Sequence, residues 1–159
     1  MLHQLTLTDP LEFFVCYTSA VSLIGSAGQA NAAAANAFED AFIYYRQAHS
    51  LPGTVINWGP WSEIGAAVDR NVLERLAAKG YGAMKPDLAI NALEKILLNQ
   101  IIRAGVIKID WQQFPYIHQS FYKNFLPQGK PQAAPSSEFL KQWQNLTLKE
   151  LPNWLTNHI

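Results

Sequence analysis

The sequence predicts an α/β fold built on an open parallel sheet, and three features carry that prediction. A continuous apolar run, Phe13 to Thr18, passes through small residues into an alanine-rich helical stretch. A second apolar run, Thr54 to Trp58, follows that helix, and the order strand, helix, strand is that of a parallel crossover. Both runs are unbroken rather than alternating, the pattern of strands buried on both faces of a parallel sheet. Such a sheet places its site beyond the carboxyl ends of its strands, which here means Ser19 to Gly28 and Gly59 to Trp61.

Composition narrows the class. A chain of 159 residues with 49% hydrophobic and 15% charged residues is one globular domain, long enough to bury a core and too apolar to stay disordered. Twelve basic residues balance twelve acidic ones without a basic run, so neither nucleic acid nor an anionic membrane is expected as a partner. The single cysteine, Cys16, lies inside the first apolar run and reads as a buried core residue, in keeping with a reducing cytoplasm. The start MLHQLTLTDP lacks the form of a signal peptide, and Glu94, Lys95 and Arg103 interrupt the most apolar later stretch too soon for a membrane span. His3, His49, His118 and His158 are scattered without partners at ligand spacing, so no metal site is expected.

Taken in order, Leu2 to Thr6 reads as the end of a helix, stopped by Thr8, Asp9 and Pro10. After the first strand, Gly25, Ser26, Ala27 and Gly28 form the loop into a helix from about Gln29 to Ala48, with Phe38, Phe42, Ile43 and Tyr45 at helical spacing. His49, Ser50, Pro52 and Gly53 end it. Gly59 and Pro60 stop the second strand. A loop and a helix from about Arg70 to Lys79 follow, then Gly80 and Gly82 around Tyr81. Pro86 opens another helix, whose core stripe is Leu88, Ala89, Leu93, Ile96 and Leu97. Ala104 to Ile109 reads as the last strand. Residues 127–137 have linker composition, and 138–159 read as short helical pieces, with Pro152 starting a new one.

The strings YTSAVSLIGSAGQANAAAANAFEDA and INWGPW resemble the ketoreductase domain of modular polyketide synthases, in the short-chain dehydrogenase/reductase superfamily. The resemblance covers about residues 2–126. It implies the carboxyl-terminal half of a Rossmann-like doubly wound parallel sheet over 1–126, a linker over 127–137 and, over 138–159, segments leading toward an acyl carrier domain. In the family a serine at the strand end lies thirteen positions before a tyrosine, and an asparagine follows that tyrosine by four. Ser19 and Asn36 hold their places, but the tyrosine position is Ala32. Read without the resemblance, Ser19 and Asn36 are equally a turn residue and a cap, and the run Ala32 to Ala35 lets a helix approach a sheet.

An intact relative would reduce a β-ketoacyl group on an acyl carrier protein with NADPH. A positioned general acid contributes roughly 10²- to 10⁴-fold to such a step, and the methyl group of Ala32 cannot act as one. The family's lysine lies earlier on the helix that Leu2 to Thr6 would end, and no G-x-G-x-x-G phosphate loop occurs in the sequence. The resemblance assigns Gly59, Pro60 and Trp61 to the nicotinamide end of the cofactor, with Trp61 as an apolar wall of the cleft. It also implies that the remaining half of the domain is a partner. The expected state is a chain inactive by itself. The alternative is a structural or docking module that keeps the shape and has lost the chemistry.

Overall fold

A computed structural model describes residues 1–65 and 72–125, and the chain divides into two compact units, Met1–Asp110 and Trp111–Ile159. The expected linker and the terminal helical pieces lie outside the described residues, as does the segment 66–71.

The first unit opens with helix α1, Leu2–Leu5, where the sequence places a helix end. Strand β1, Val15–Ser19, then leads through a short helix α2, Val21–Ile24, to the long helix α3, Ala30–Ala48. Strand β2, Thr54–Trp58, returns parallel to β1, with Val15 opposite Thr54 and Ser19 opposite Trp58. Helix α4, Val72–Ala77, and a two-residue strand β3, Tyr81–Gly82, precede helix α5, Pro86–Leu98, which carries proline in its first turn. Strand β4, Arg103–Val106, pairs parallel with the other edge of β2, so the sheet order is β1-β2-β4. Each parallel step needs a crossover of a dozen or more residues, and α3 and α5 supply the two. No described helix is long and apolar enough to cross a membrane.

Strand β2 is buried along its whole length because it alone has a neighbour on each side within this sheet. One face of the sheet packs Ile56 and Trp58 against Ala89 and Ile96 of α5, with Met84, Ala104 and Val106 around them. The opposite face meets α3, whose Ile43 is fully buried and touches the Cβ position of Gly53 at 3.4 Å.

Four expectations need correction. The run Phe13 to Thr18 is not buried on both faces: Phe13 lies ahead of β1 and is 61% exposed, and Tyr17 within it is 55% exposed, because β1 is an edge strand with β2 as its one partner among the described residues. Cys16 is accordingly half-buried, and what burial it has raises its thiol pKa, with smaller upward effects from Glu39 and Asp40 and a downward one from Arg46. The run Ala104 to Ile109 is not one strand. It breaks at Ile107, and a separate strand β5, Lys108–Ile109, pairs antiparallel with β3. The periodic stripes also overcount the core: in α3 Phe38 and Tyr45 are exposed while Asp40 and Arg46 are buried, and in α5 Leu88 is exposed. Gly82 sits in the β3–β5 ladder, and the Asp110 amide donates to the Gly80 carbonyl at 2.7 Å.

The segment between β2 and α5 is tied at its base. The Met84 amide donates to the Pro60 carbonyl and the Ser62 amide to the Met84 carbonyl, both at 2.9 Å, and Trp61 bridges Met84.

The described part of the second unit, 111–125, is held by ring contacts around a 3-10 helix, Ser120–Phe125. Trp111 stacks on Phe125 with centroids 4.9 Å apart, and Phe114 meets Tyr122 edge-on at 5.0 Å.

These burials set unequal costs. Ile56→Ala, which empties a fully buried site in the central strand, is expected to cost about 2–5 kcal/mol. Phe38→Ala removes a ring that is 71% exposed and is expected to change stability by no more than about 0.5 kcal/mol. Urea unfolding of both variants measures the contrast, and equal midpoint shifts would refute this assignment of the core.

Candidate functional site

At the carboxyl ends of β1 and β2 the chain turns into α2 on one side and into Gly59–Pro60 on the other. The Ala20 amide donates to the Trp58 carbonyl at 2.9 Å, so the two strand ends are fastened together where the loops depart. Gly25 and Gly28 hold φ of +72° and +76°, a region that L side chains rarely adopt, and a Cβ at either would meet nothing within 4 Å. The loop therefore needs glycine for its backbone path rather than for close packing.

The structure brings Ser19, Asn36 and Ala32 together through one amide side chain. Asn36 Oδ1 accepts from the Ser19 amide at 2.7 Å, and Asn36 Nδ2 donates to the Ala32 carbonyl, also at 2.7 Å. Residues four apart share a helix face, and here that face is sewn to the end of β1. The Ser19 hydroxyl oxygen accepts from the Val21 amide at 3.3 Å, which orients the hydroxyl while its own proton remains a donor. Such a proton can stabilise a developing oxyanion. Ala32, half-buried, has a side chain that offers no proton.

Gly59, Pro60 and Trp61 follow β2 as expected, but their surroundings are largely the chain's own. A Cβ on Gly59 would lie 3.2 Å from the Ile107 side chain and 3.3 Å from its Cα, so this glycine admits β4's continuation. Trp61 stands edge-on to Trp58 at 5.3 Å and packs against the α5-side core. Tyr17 stacks on the same Trp58 at 5.7 Å, and the Trp58 indole nitrogen is buried with no partner among the described residues.

Sequence reasoning missed the polar cluster beneath this site. Asp40, one turn beyond Asn36 on α3, has a side chain only 5% exposed, and its carboxylate gathers donors from four elements. Oδ1 accepts from Thr18 at 3.3 Å and from Asn57 at 2.7 Å, while Oδ2 accepts from Ser22 and from Arg103, each at 2.8 Å. Asn57 Nδ2 also reaches Thr18 Oγ1 at 2.7 Å and Ser22 Oγ at 2.9 Å, and its Oδ1 accepts from Arg103 Nε at 3.2 Å. Ser22 Oγ lies 3.1 Å from the Ser19 carbonyl, so the cluster reaches the backbone of the site. Two signals pointed to it: an asparagine in the middle of the apolar strand TVINW, and an acid between Asn36 and Ile43 on the buried helix face.

Among the described residues no group of His, Cys, Asp and Glu could hold a metal ion. A strand-end serine and a helix-borne asparagine stand together at the carboxyl edge of a parallel α/β sheet, the place where such sheets bind ligands.

Comparison with known proteins makes this narrower. Residues 1–63 match the family described as KR domain. The chain is 33% identical over 157 residues to a mycocerosic acid synthase-like polyketide synthase of Mycobacterium tuberculosis, covering 97% of this chain and 7% of that protein. Among solved structures it is similar to A-type ketoreductases from a modular polyketide synthase, with TM-score 0.69 and 34% identity over 86% of this chain and 27% of that one. It is likewise similar to the first ketoreductase of the tylosin polyketide synthase, with TM-score 0.65 and 38% identity over 71% of this chain and 25% of the other. The fold is therefore the Rossmann-like α/β fold of polyketide synthase ketoreductases, and the chain spans about a quarter of those solved structures.

The cluster makes a graded prediction. Asp40→Ala strands the buried donors of Asn57, Thr18 and Ser22, and is expected to cost about 3–5 kcal/mol. Arg103→Met, at a side chain 30% exposed, is expected to cost about 1 kcal/mol, screened as it is by solvent. Urea titration of both decides; a larger loss for Arg103→Met would mean that the ion pair, not the neutral donors, dominates.

Proposed function

We propose that this chain is the carboxyl-terminal half of a polyketide synthase ketoreductase domain over residues 1–126, with a linker over 127–137 and segments over 138–159 that lead toward a carrier domain. The complete domain acts on a β-ketoacyl group borne by an acyl carrier protein, in the cytoplasm, and this module is silent because residue 32 is alanine. The observation that carries the reading is the Asn36 amide, which joins Ser19 to residue 32 in one constellation.

The cofactor would be NADPH, which when bound supplies the hydride. Ser19 and the turn Gly59–Trp61 fit its nicotinamide end, since they stand at adjacent strand ends. No glycine-rich turn of the required spacing is present in this chain for its phosphates. The remaining half of the domain fits the open edge of β1: a strand paired on one side only among the described residues, with Tyr17 and the preceding Phe13 exposed, is a seat for a further strand.

The alternative is a non-catalytic structural or docking module, in which Asn36 only ties α3 to the end of β1.

The test is made in the polypeptide that contains the whole domain, with a β-ketoacyl thioester as substrate and NADPH oxidation as readout. The natural Ala32 protein is expected to show no reduction above background. Ala32→Tyr is expected to raise the rate at least about 10²-fold. Reduction by the natural protein would overturn the silence; no gain in the tyrosine variant would favour the structural module.

A further inference from the structure

At the opposite end of α3 from Asn36 lies a buried arginine that the site chemistry does not use. Arg46 is fully buried in the last turn of the helix. Its Nε donates to the Pro52 carbonyl at 2.9 Å and its Nη1 to His3 Nδ1 at 2.9 Å, while Cζ lies 3.8 Å from the centroid of the Phe14 ring. Nη2 is buried with no partner among the described residues. His3 in turn stands edge-on to Phe42 at 5.3 Å and to Tyr45 at 5.9 Å. One guanidinium thus touches α1, the approach to β1 and the loop before β2.

This is a poor way to gain stability. The ion pair found among the described residues is Arg103 with Asp40, and Arg46 has no carboxylate there. Burial lowers its pKa, and taking a charge out of water without a counter-ion costs several kcal/mol, on the order of what a salt bridge would have to offset. A methionine would fill the slot without that cost. It could not reach two acceptors in different directions, which the planar fork of arginine does.

We propose that Arg46 is a positioning residue that sets where α1 lies against α3, acting through His3. Arginine only donates, so His3 Nδ1 is the acceptor and bears no proton. The functional meaning of this clamp rests on the ketoreductase reading: the helix that ends at α1 would hold the reaction's lysine, and Arg46 then sets that lysine's distance from the face of residues 32 and 36. The clamp itself stands without that reading.

The test uses the 159-residue chain in solution. Long-range nitrogen NMR of the unmodified protein is expected to show His3 Nδ1 as the unprotonated ring nitrogen, with nuclear Overhauser contacts from its ring to Phe42 and Tyr45. In Arg46→Lys those contacts are expected to vanish, while the contacts of Ile43 with Gly53 persist. Should Arg46→Lys fail to fold, a second pair decides. His3→Asn places an acceptor oxygen near the Nδ1 position and is expected to keep the amides of Leu5 and Thr6, bonded to Met1 and Leu2 carbonyls, within about 2-fold of their original exchange rates. His3→Leu is expected to speed them about 5-fold or more, leaving Val55 and Gly59 in the ladder unchanged, as local opening does. A protonated Nδ1, or equal exchange in His3→Asn and His3→Leu, overturns the proposal. An inert Ala32→Tyr domain would remove the catalytic meaning and leave these results untouched.

Discussion

Five elements of the first unit meet at the carboxylate of Asp40. Strands β1, β2 and β4 send it Thr18, Asn57 and Arg103, α2 sends Ser22, and α3 carries it. A parallel sheet holds its strands by backbone ladders that say nothing about which helix covers which face. The buried acid supplies that information, because its four donors are satisfied only when α3 lies across β1 and β2 at one height. An apolar interface could slide; a carboxylate with four fixed donors cannot do so without stranding one of them.

The same constraint explains why a site-like geometry survives at Ser19 with alanine at 32. The turn after β1 is held by Asn36 from above and by Ser22 and the Trp58 carbonyl from below. None of these contacts involves the side chain of residue 32. The hydrogen bonds of this turn therefore do not depend on which side chain stands at residue 32.

How much of this was legible follows from what each residue's pattern can encode. α3 and β2 were read to within a residue because continuous apolar runs and breaker clusters are local signals. The expected strand from Ala104 to Ile109 was not, since after Ile107, which passes close by Gly59, the chain takes β3 as its new partner, and both are distant in sequence. Burial misled most. Phe38 and Tyr45 look like core and face outward, whereas Asp40 and Arg46 look like surface and lie inside, because hydropathy is blind to polar groups satisfied by partners far along the chain. Ser19, Ala32 and Asn36 were singled out by the resemblance, while the polar cluster beneath them showed in the sequence only as an asparagine in an apolar strand and an acid on the buried face of α3.

The clamp at Pro60, Ser62 and Met84 carries one further implication. The chain departs after Pro60 and is fastened again at Met84, and within that excursion β3 is tied to β5 and Gly80 to Asp110. Closing a longer excursion costs only about 0.6 kcal/mol per doubling of its length. Added loop length in that excursion therefore leaves the packing of β2 against α5 in place.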